Sequence, residues 1–183
     1  MIHRLIRATL GVSIAVGCLA MATPASATVF KNFKNEAKCL GVTASNITPG
    51  TGLIIWDCDG TPNQNWNAQG FSGSYDQLWD SAAPAPPNSN AQCMALGNNG
   101  NTNDGQQLVI WNCNAGTHDQ GWQLVFTGTD ASGHSCYNLK NEKAAEQGHN
   151  RVAAVGNNGN MTNGQSVVIW DFVGSSDQYW CAY

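Results

Sequence analysis

The residues in this sequence that could do chemistry are few, and their spacing assembles no catalytic constellation. Gly133-His134-Ser135-Cys136-Tyr137 comes nearest to a serine nucleophile elbow, but it lacks the closing glycine of the Gly-x-Ser-x-Gly turn. His118, His134 and His149 fall in separate expected loops without metal-ligand spacing, so neither a metal ion nor a cofactor is expected. Asp57 and Asp59 flank Cys58 as a carboxylate pair of glycosidase type, yet a solvated turn explains them better. No catalytic residue is therefore assigned, and no enzyme is expected. Asn46-Ile47-Thr48 and Asn160-Met161-Thr162 fit the N-glycosylation pattern, which matters only in a host with that machinery.

Composition narrows the remaining classes. Of 183 residues only 11% are charged, 42% are hydrophobic, and 21 Asn with 11 Gln make amides the main source of polarity. Disordered chains are charge-rich and aromatic-poor, whereas this one carries 7 Trp. The formal charge of −4 leaves no basic stripe, so no nucleic-acid partner is expected. The length suits one domain.

Residues 1–27 have the layout of a secretory signal: Arg4 and Arg7, an apolar stretch from Ala8 to Ala22, and a small-residue site at Ala25-Ser26-Ala27. The apolar stretch is too short for a permanent anchor, so no membrane span is expected. A rival reading ends a lipoprotein signal at Cys18, but Ala15 stands where Leu is usual. Cleavage after Ala27 leaves residues 28–183 as a secreted domain, with six bases against twelve acids. It also leaves six cysteines, which on an exported chain read as three disulfides.

One unit is written three times, at about 30–70, 71–130 and 131–183. The loop Gly97-Asn98-Asn99-Gly100-Asn101 leads to Leu108-Val109-Ile110-Trp111, and Gly156-Asn157-Asn158-Gly159-Asn160 leads to Val167-Val168-Ile169-Trp170. Upstream, Leu53-Ile54-Ile55-Trp56-Asp57-Cys58 matches Leu108 to Cys113. Each run is followed by a Gln-x-Trp: Gln64-Asn65-Trp66, Gln120-Gly121-Trp122 and Gln178-Tyr179-Trp180. A fourth triplet, Gln77-Leu78-Trp79, has no apolar run with a Trp ten residues upstream. It reads instead as the opening strand of the second unit, with Leu78-Trp79-Asp80 parallel to Phe33-Lys34-Asn35 and Leu139-Lys140-Asn141.

The elements that must position these residues are all β. Runs of four to six β-branched and aromatic residues are bounded by Gly, Asn, Asp and Pro. The segment from Asn141 to Gln147 reads as a hairpin tip, and the proline-rich 82–87 as a surface loop in the matching place. Six cysteines allow fifteen connectivities. The repeat favours Cys39–Cys58 and Cys93–Cys113, which bracket the central tryptophan of their units. Val152 and Phe172 replace that bridge in the third unit, leaving Cys136–Cys181.

Three phased units ending in Gln-x-Trp resemble the ricin B-chain type of lectin domain over roughly Phe30 to Tyr183. The resemblance implies an all-β, disulfide-stapled β-trefoil with three pseudo-symmetric repeats. It implies that Gln64, Trp66, Gln120, Trp122, Gln178 and Trp180 are structural. Function would lie in shallow pockets, at most one per unit, where a sugar face stacks on an aromatic platform and polar groups grip its hydroxyls. Trp56, Trp111 and Trp170 hold the platform position, and Asn63, Asp119 and Asp177 stand just before the Gln.

Two departures from the family stand out. The Asp that grips galactose two residues after the unit's first Cys is replaced by Gly41, Ala95 and Ala154, and the polar residue two before the central Trp by Ile54, Val109 and Val168. Plain galactose is therefore not expected. Amides near the platforms, foremost Asn98, Asn99, Asn157 and Asn158, offer donor and acceptor together. Asn and Gly also suit tight turns on conformational grounds alone, and recent duplication would equally explain two near-identical loops. The expectation is a secreted, non-catalytic domain that binds a glycan or polysaccharide through an atypical site. The alternative is a protein-binding trefoil, such as an enzyme inhibitor or a subunit of a larger secreted assembly; exposed platforms favour the first, buried ones the second.

Overall fold

A computed structural model describes residues 27–183; the expected secretory signal up to residue 26, with Cys18 inside it, lies outside the described residues. Twelve strands follow in groups of four. The first group is β1 (Thr28–Asn32), β2 (Asn35–Val42), β3 (Leu53–Asp57) and β4 (Asn65–Ser72). The second is β5 (Tyr75–Asp80), β6 (Gln92–Leu96), β7 (Leu108–Asn112) and β8 (Trp122–Thr129). The third is β9 (Ser135–Asn141), β10 (Arg151–Val155), β11 (Val167–Asp171) and β12 (Trp180–Ala182).

Six strands close into a ring, each antiparallel to the next: β1 pairs β4, β4 pairs β5, β5 pairs β8, β8 pairs β9, β9 pairs β12, and β12 returns to β1. The other six form the hairpins β2–β3, β6–β7 and β10–β11 at one end. These hairpins meet through three equivalent contacts, Gly52 to Val109, Gln107 to Val168, and Ser166 to Ile54. The architecture is a β-trefoil. No helix among the described residues is long and apolar enough to cross a membrane.

Each layer of the core draws one residue from each unit. Phe30, Leu78 and Leu139 are buried together with Trp66, Trp122 and Trp180, and Ile55, Ile110 and Ile169 fill the hairpin side. Strand alternation does this: inward positions carry large apolar groups and the residues between them face water or a neighbouring strand. The buried indoles also satisfy their polar atom, since Trp66, Trp122 and Trp180 donate Nε1–H to the carbonyls of Leu40, Met94 and Ala153 at 2.9–3.1 Å.

The structure holds the three disulfides Cys39–Cys58, Cys93–Cys113 and Cys136–Cys181. In the third unit, buried Val152 sits opposite Trp170, as Cys39 sits opposite Trp56. Two local expectations are corrected. The first unit opens on Phe30-Lys31-Asn32, not Phe33-Lys34-Asn35: Phe30 is 2% exposed and Phe33 is 43% exposed. The hairpin tip expected after Asn141 is a helical turn, Glu142–Glu146, because the Asn141 side chain accepts the Ala144 N–H and caps it.

Candidate functional site

Each hairpin throws its central tryptophan outward. Trp56, Trp111 and Trp170 are 44%, 51% and 45% exposed, while the tryptophans of the Gln-x-Trp triplets are at most 1% exposed. The last two residues of β3, β7 and β11 are exposed, because these strands run past the end of the barrel where no layer covers them. Beside each exposed indole lies an open cavity, of about 670 Å³ at Trp111, 510 Å³ at Trp170 and 320 Å³ at Trp56.

The loops that wall these cavities are set by backbone conformation. Asn98 and Asn99 both have positive φ (50° and 57°), as do Asn157 and Asn158 (51° and 55°). Asparagine tolerates this left-handed region better than most residues, so the turn explains the residue type. The same turn leaves all four side chains exposed at the cavity rim. In the first unit Ala44 and Ser45 take the equivalent positions (φ 52° and 53°), so that cavity has no amide pair.

The opposite wall comes from the short turn before the closing strand. Gln120 shows how that turn is anchored: its side chain donates to the Asn112 carbonyl at 2.9 Å and accepts the Asn114 N–H at 2.8 Å. Gln64 bridges Asp57 O and Asp59 N in the same way, and Gln178 bridges Asp171 O with the N–H groups of Val173 and Gly174. The anchoring places Asp119 and Asp177, half-buried, in the cavities of Trp111 and Trp170. Asn63 occupies the matching place at Trp56, where it is buried. It donates to the Val42 carbonyl at 3.1 Å, and its Oδ1 has no hydrogen-bond partner among the described residues.

Two lysines reach these loops from the neighbouring unit, and one of them, Lys143, lines a cavity. Lys143 Nζ approaches the Asn99 carbonyl at 3.5 Å and lines the cavity of Trp111 with Asp119. Lys34 Nζ donates to the Gly159 carbonyl at 2.8 Å, next to Asp177. Each lysine follows by two residues a buried asparagine, Asn141 or Asn32, whose amide donates to the backbone carbonyl of Asp119 or Asp177. At the first unit the matching segment is Asp80-Ser81-Ala82, with no lysine. Sequence reasoning missed both lysines. The Asn-x-Lys repeat was the signal, hidden by the three-residue misalignment of the first unit.

Gly41, Ala95 and Ala154 are buried and bring no polar side-chain atom to the walls. Asp57 and Asp59, the carboxylate pair flanking Cys58, are not in the environment of a glycosidase general acid. Asp57 is hydrogen-bonded by Lys38 at 2.5 Å and by Asn163, which holds its carboxyl below the usual range. Asp59 is likewise lowered, by hydrogen bonds from Thr61. A general acid needs the reverse shift.

The ricin-type β-trefoil lectin domain, as a family, matches residues 26–180. No curated protein matches the chain. Among solved structures, the designed threefold-symmetric protein ThreeFoil superposes with a TM-score of 0.69 at 19% identity, over 85% of this chain and 96% of that one. The ricin B-like lectin of Macrolepiota procera, solved with lactose, gives 0.63 at 16% identity over 89% and 98%. An exo-β-1,3-galactanase from Clostridium thermocellum gives 0.69 at 16% identity, over 86% of this chain but 30% of the enzyme.

Proposed function

The chain belongs to the ricin-type β-trefoil lectin domain family, and from that premise we propose that it is a secreted, non-catalytic carbohydrate-binding domain with rebuilt sugar sites. The observation that carries this reading is the exposure of Trp56, Trp111 and Trp170, each beside its own cavity. A half-exposed indole forgoes burial that a core position would give it. A pyranose face of C–H groups recovers that area by stacking, while hydroxyls need fixed donors and acceptors at the rim.

The rim groups support two equivalent sites and one different site. At Trp111 and Trp170 the pair of left-handed asparagines and an aspartate surround the platform, with Lys143 in the wall at Trp111 and Lys34 behind Asp177 at Trp170. Carboxylate and ammonium supply acceptor and donor where the family relies on its usual Asp. At Trp56 the cavity is smaller and holds no lysine, with Asn63 and Ser45 beside the platform and Asp59 as its acid. The second and third units therefore take the same ligand, and a polysaccharide that engages both is held by avidity. Plain galactose is not the ligand, since Gly41, Ala95 and Ala154 accept no hydrogen bond through their side chains. Three disulfides in the domain suit an extracellular setting.

The test is a glycan-array and insoluble-polysaccharide screen with disulfide-intact protein beside Trp56→Ala, Trp111→Ala and Trp170→Ala. Retention that falls with Trp111→Ala and Trp170→Ala, and further with both, is the expected result. Absence of binding across a broad panel would overturn the carbohydrate reading and turn the search to protein partners.

A further inference from the structure

We propose that His118, Glu142 and Glu146 form a binding site for a divalent transition-metal cation, of which Zn²⁺ is the natural probe. His118 opens the turn that precedes Trp122, and Glu142 and Glu146 stand four residues apart on the helical turn after β9. One ligating atom from each residue lies within 4.8 Å of the other two. His118 Nδ1 is 2.5 Å from a Glu146 oxygen and 4.0 Å from a Glu142 oxygen.

Glu142 is the residue that asks for a ligand. Its side chain is 6% exposed, and its Oε2 has no hydrogen-bond partner among the described residues. A carboxylate so placed is costly unless a cation or donor meets it. The imidazole does not answer this need, since its Nδ1 stands 4.0 Å from the other oxygen, Oε1, and is already engaged by Glu146. One imidazole and two carboxylates make a nitrogen–oxygen donor set that zinc accepts, with the exposed side of His118 and Glu146 open to water.

The two segments are locked together without any metal. Glu142 N–H donates to the Gly121 carbonyl at 2.9 Å, and the Asn141 amide donates to the Asp119 carbonyl at 3.1 Å. Gly121 is also the middle residue of its Gln-x-Trp triplet. A β-carbon there would stand 2.1 Å from Glu142 Oε2, whereas the other two triplets carry Asn65 and Tyr179. Room for the Glu142 carboxylate has thus been made in the second unit alone, which gives one site per chain. Asp119 and Lys143 adjoin its ligands in sequence and line the Trp111 cavity, so an ion here would brace that wall.

The experiment is a Zn²⁺ titration of the tag-free, chelator-washed, disulfide-intact chain by calorimetry, with thermal unfolding measured in parallel. One equivalent should bind, and the unfolding midpoint should rise by about 5 °C at a hundredfold excess over the dissociation constant, then fall back with chelator. His118→Ala and Glu146→Gln change exposed side chains, so both variants should fold, bind at least tenfold more weakly and lose the shift. Absence of Zn²⁺ binding, wild-type binding by both variants, or an equal shift with Ca²⁺ would overturn the site. The readout is metal occupancy, so failure here leaves the carbohydrate reading standing.

Discussion

The outer edge of the Trp111 indole lies 3.3 Å from the point where a β-carbon on Gly50 would stand, although Gly50 belongs to the preceding unit. Gly105 relates to Trp170 and Gly164 to Trp56 in the same way, at 3.5 and 3.8 Å. Each glycine has a φ between 82° and 91° and donates its N–H across to the next hairpin, as Gly50 does to the Ile110 carbonyl at 2.8 Å. A platform is thus held by the hairpin tip of another unit, and no unit owns a whole site.

Gly50→Ala is expected to do two things. Left-handed backbone strain should cost roughly 1 kcal/mol of stability. The added methyl should also tilt Trp111, weakening glycan retention at the second unit severalfold while the third unit keeps its affinity. Glycan titrations of this variant, alone and combined with Trp170→Ala, separate the two sites.

The two classes of tryptophan should separate cleanly. Trp111→Ala removes an exposed ring and should shift the stability by no more than about 1 kcal/mol while abolishing retention at its site. Trp122→Ala empties the core and breaks a bond to the Met94 carbonyl, for a loss of about 3–5 kcal/mol. Denaturant unfolding beside a binding assay checks both.

Much of this was legible because a repeat prints the same physics three times. The Gln-x-Trp triplets, the disulfides and the all-β character all follow from local periodicity and phased spacing. Lys34 and Lys143 escaped because one unit was aligned on the wrong phenylalanine, Phe33 rather than Phe30. A three-residue slip there hides which residue is buried, and burial is a tertiary fact. The meeting of His118 with Glu142 and Glu146 escaped for another reason. Its ligands come from two segments that only strand pairing brings together, and no spacing along the chain encodes that.

Asp80 is the odd member of a threefold set whose other members are Asn32 and Asn141. Burial pushes its pKa up to about 6, opposed by a hydrogen bond from the Ala82 N–H, and its Oδ2 has no partner among the described residues. The native state therefore holds a proton that the unfolded chain has released, so this residue's contribution to stability falls as pH rises from about 4 to about 6. Asp80→Asn should stabilise the domain by roughly 1–3 kcal/mol at pH 7–8. The gain should vanish below about pH 4, where Asp80 is protonated in both states. Unfolding curves across that range decide it, and a gain independent of pH would refute the assignment.

The bridges should differ in weight. Cys136–Cys181 closes a separation of 45 residues, against 19 for Cys39–Cys58 and 20 for Cys93–Cys113. Loop entropy then assigns it about 4 kcal/mol, and about 3 kcal/mol to each of the others. Paired Cys→Ala replacements followed by denaturant unfolding should reproduce that order.

The ring of six strands is completed only where β1 lies against β12, with Val29 and Tyr183 exchanging N–H and carbonyl at 3.0 and 3.1 Å. The first two units can pair their strands and still hold two raw sheet edges, because the strand that seals them is the twelfth of the domain. Closure is thus an event in time as well as in space. Until β12 is in place the folding domain is open to pairing with a neighbour, and afterwards the barrel offers no edge to pair with.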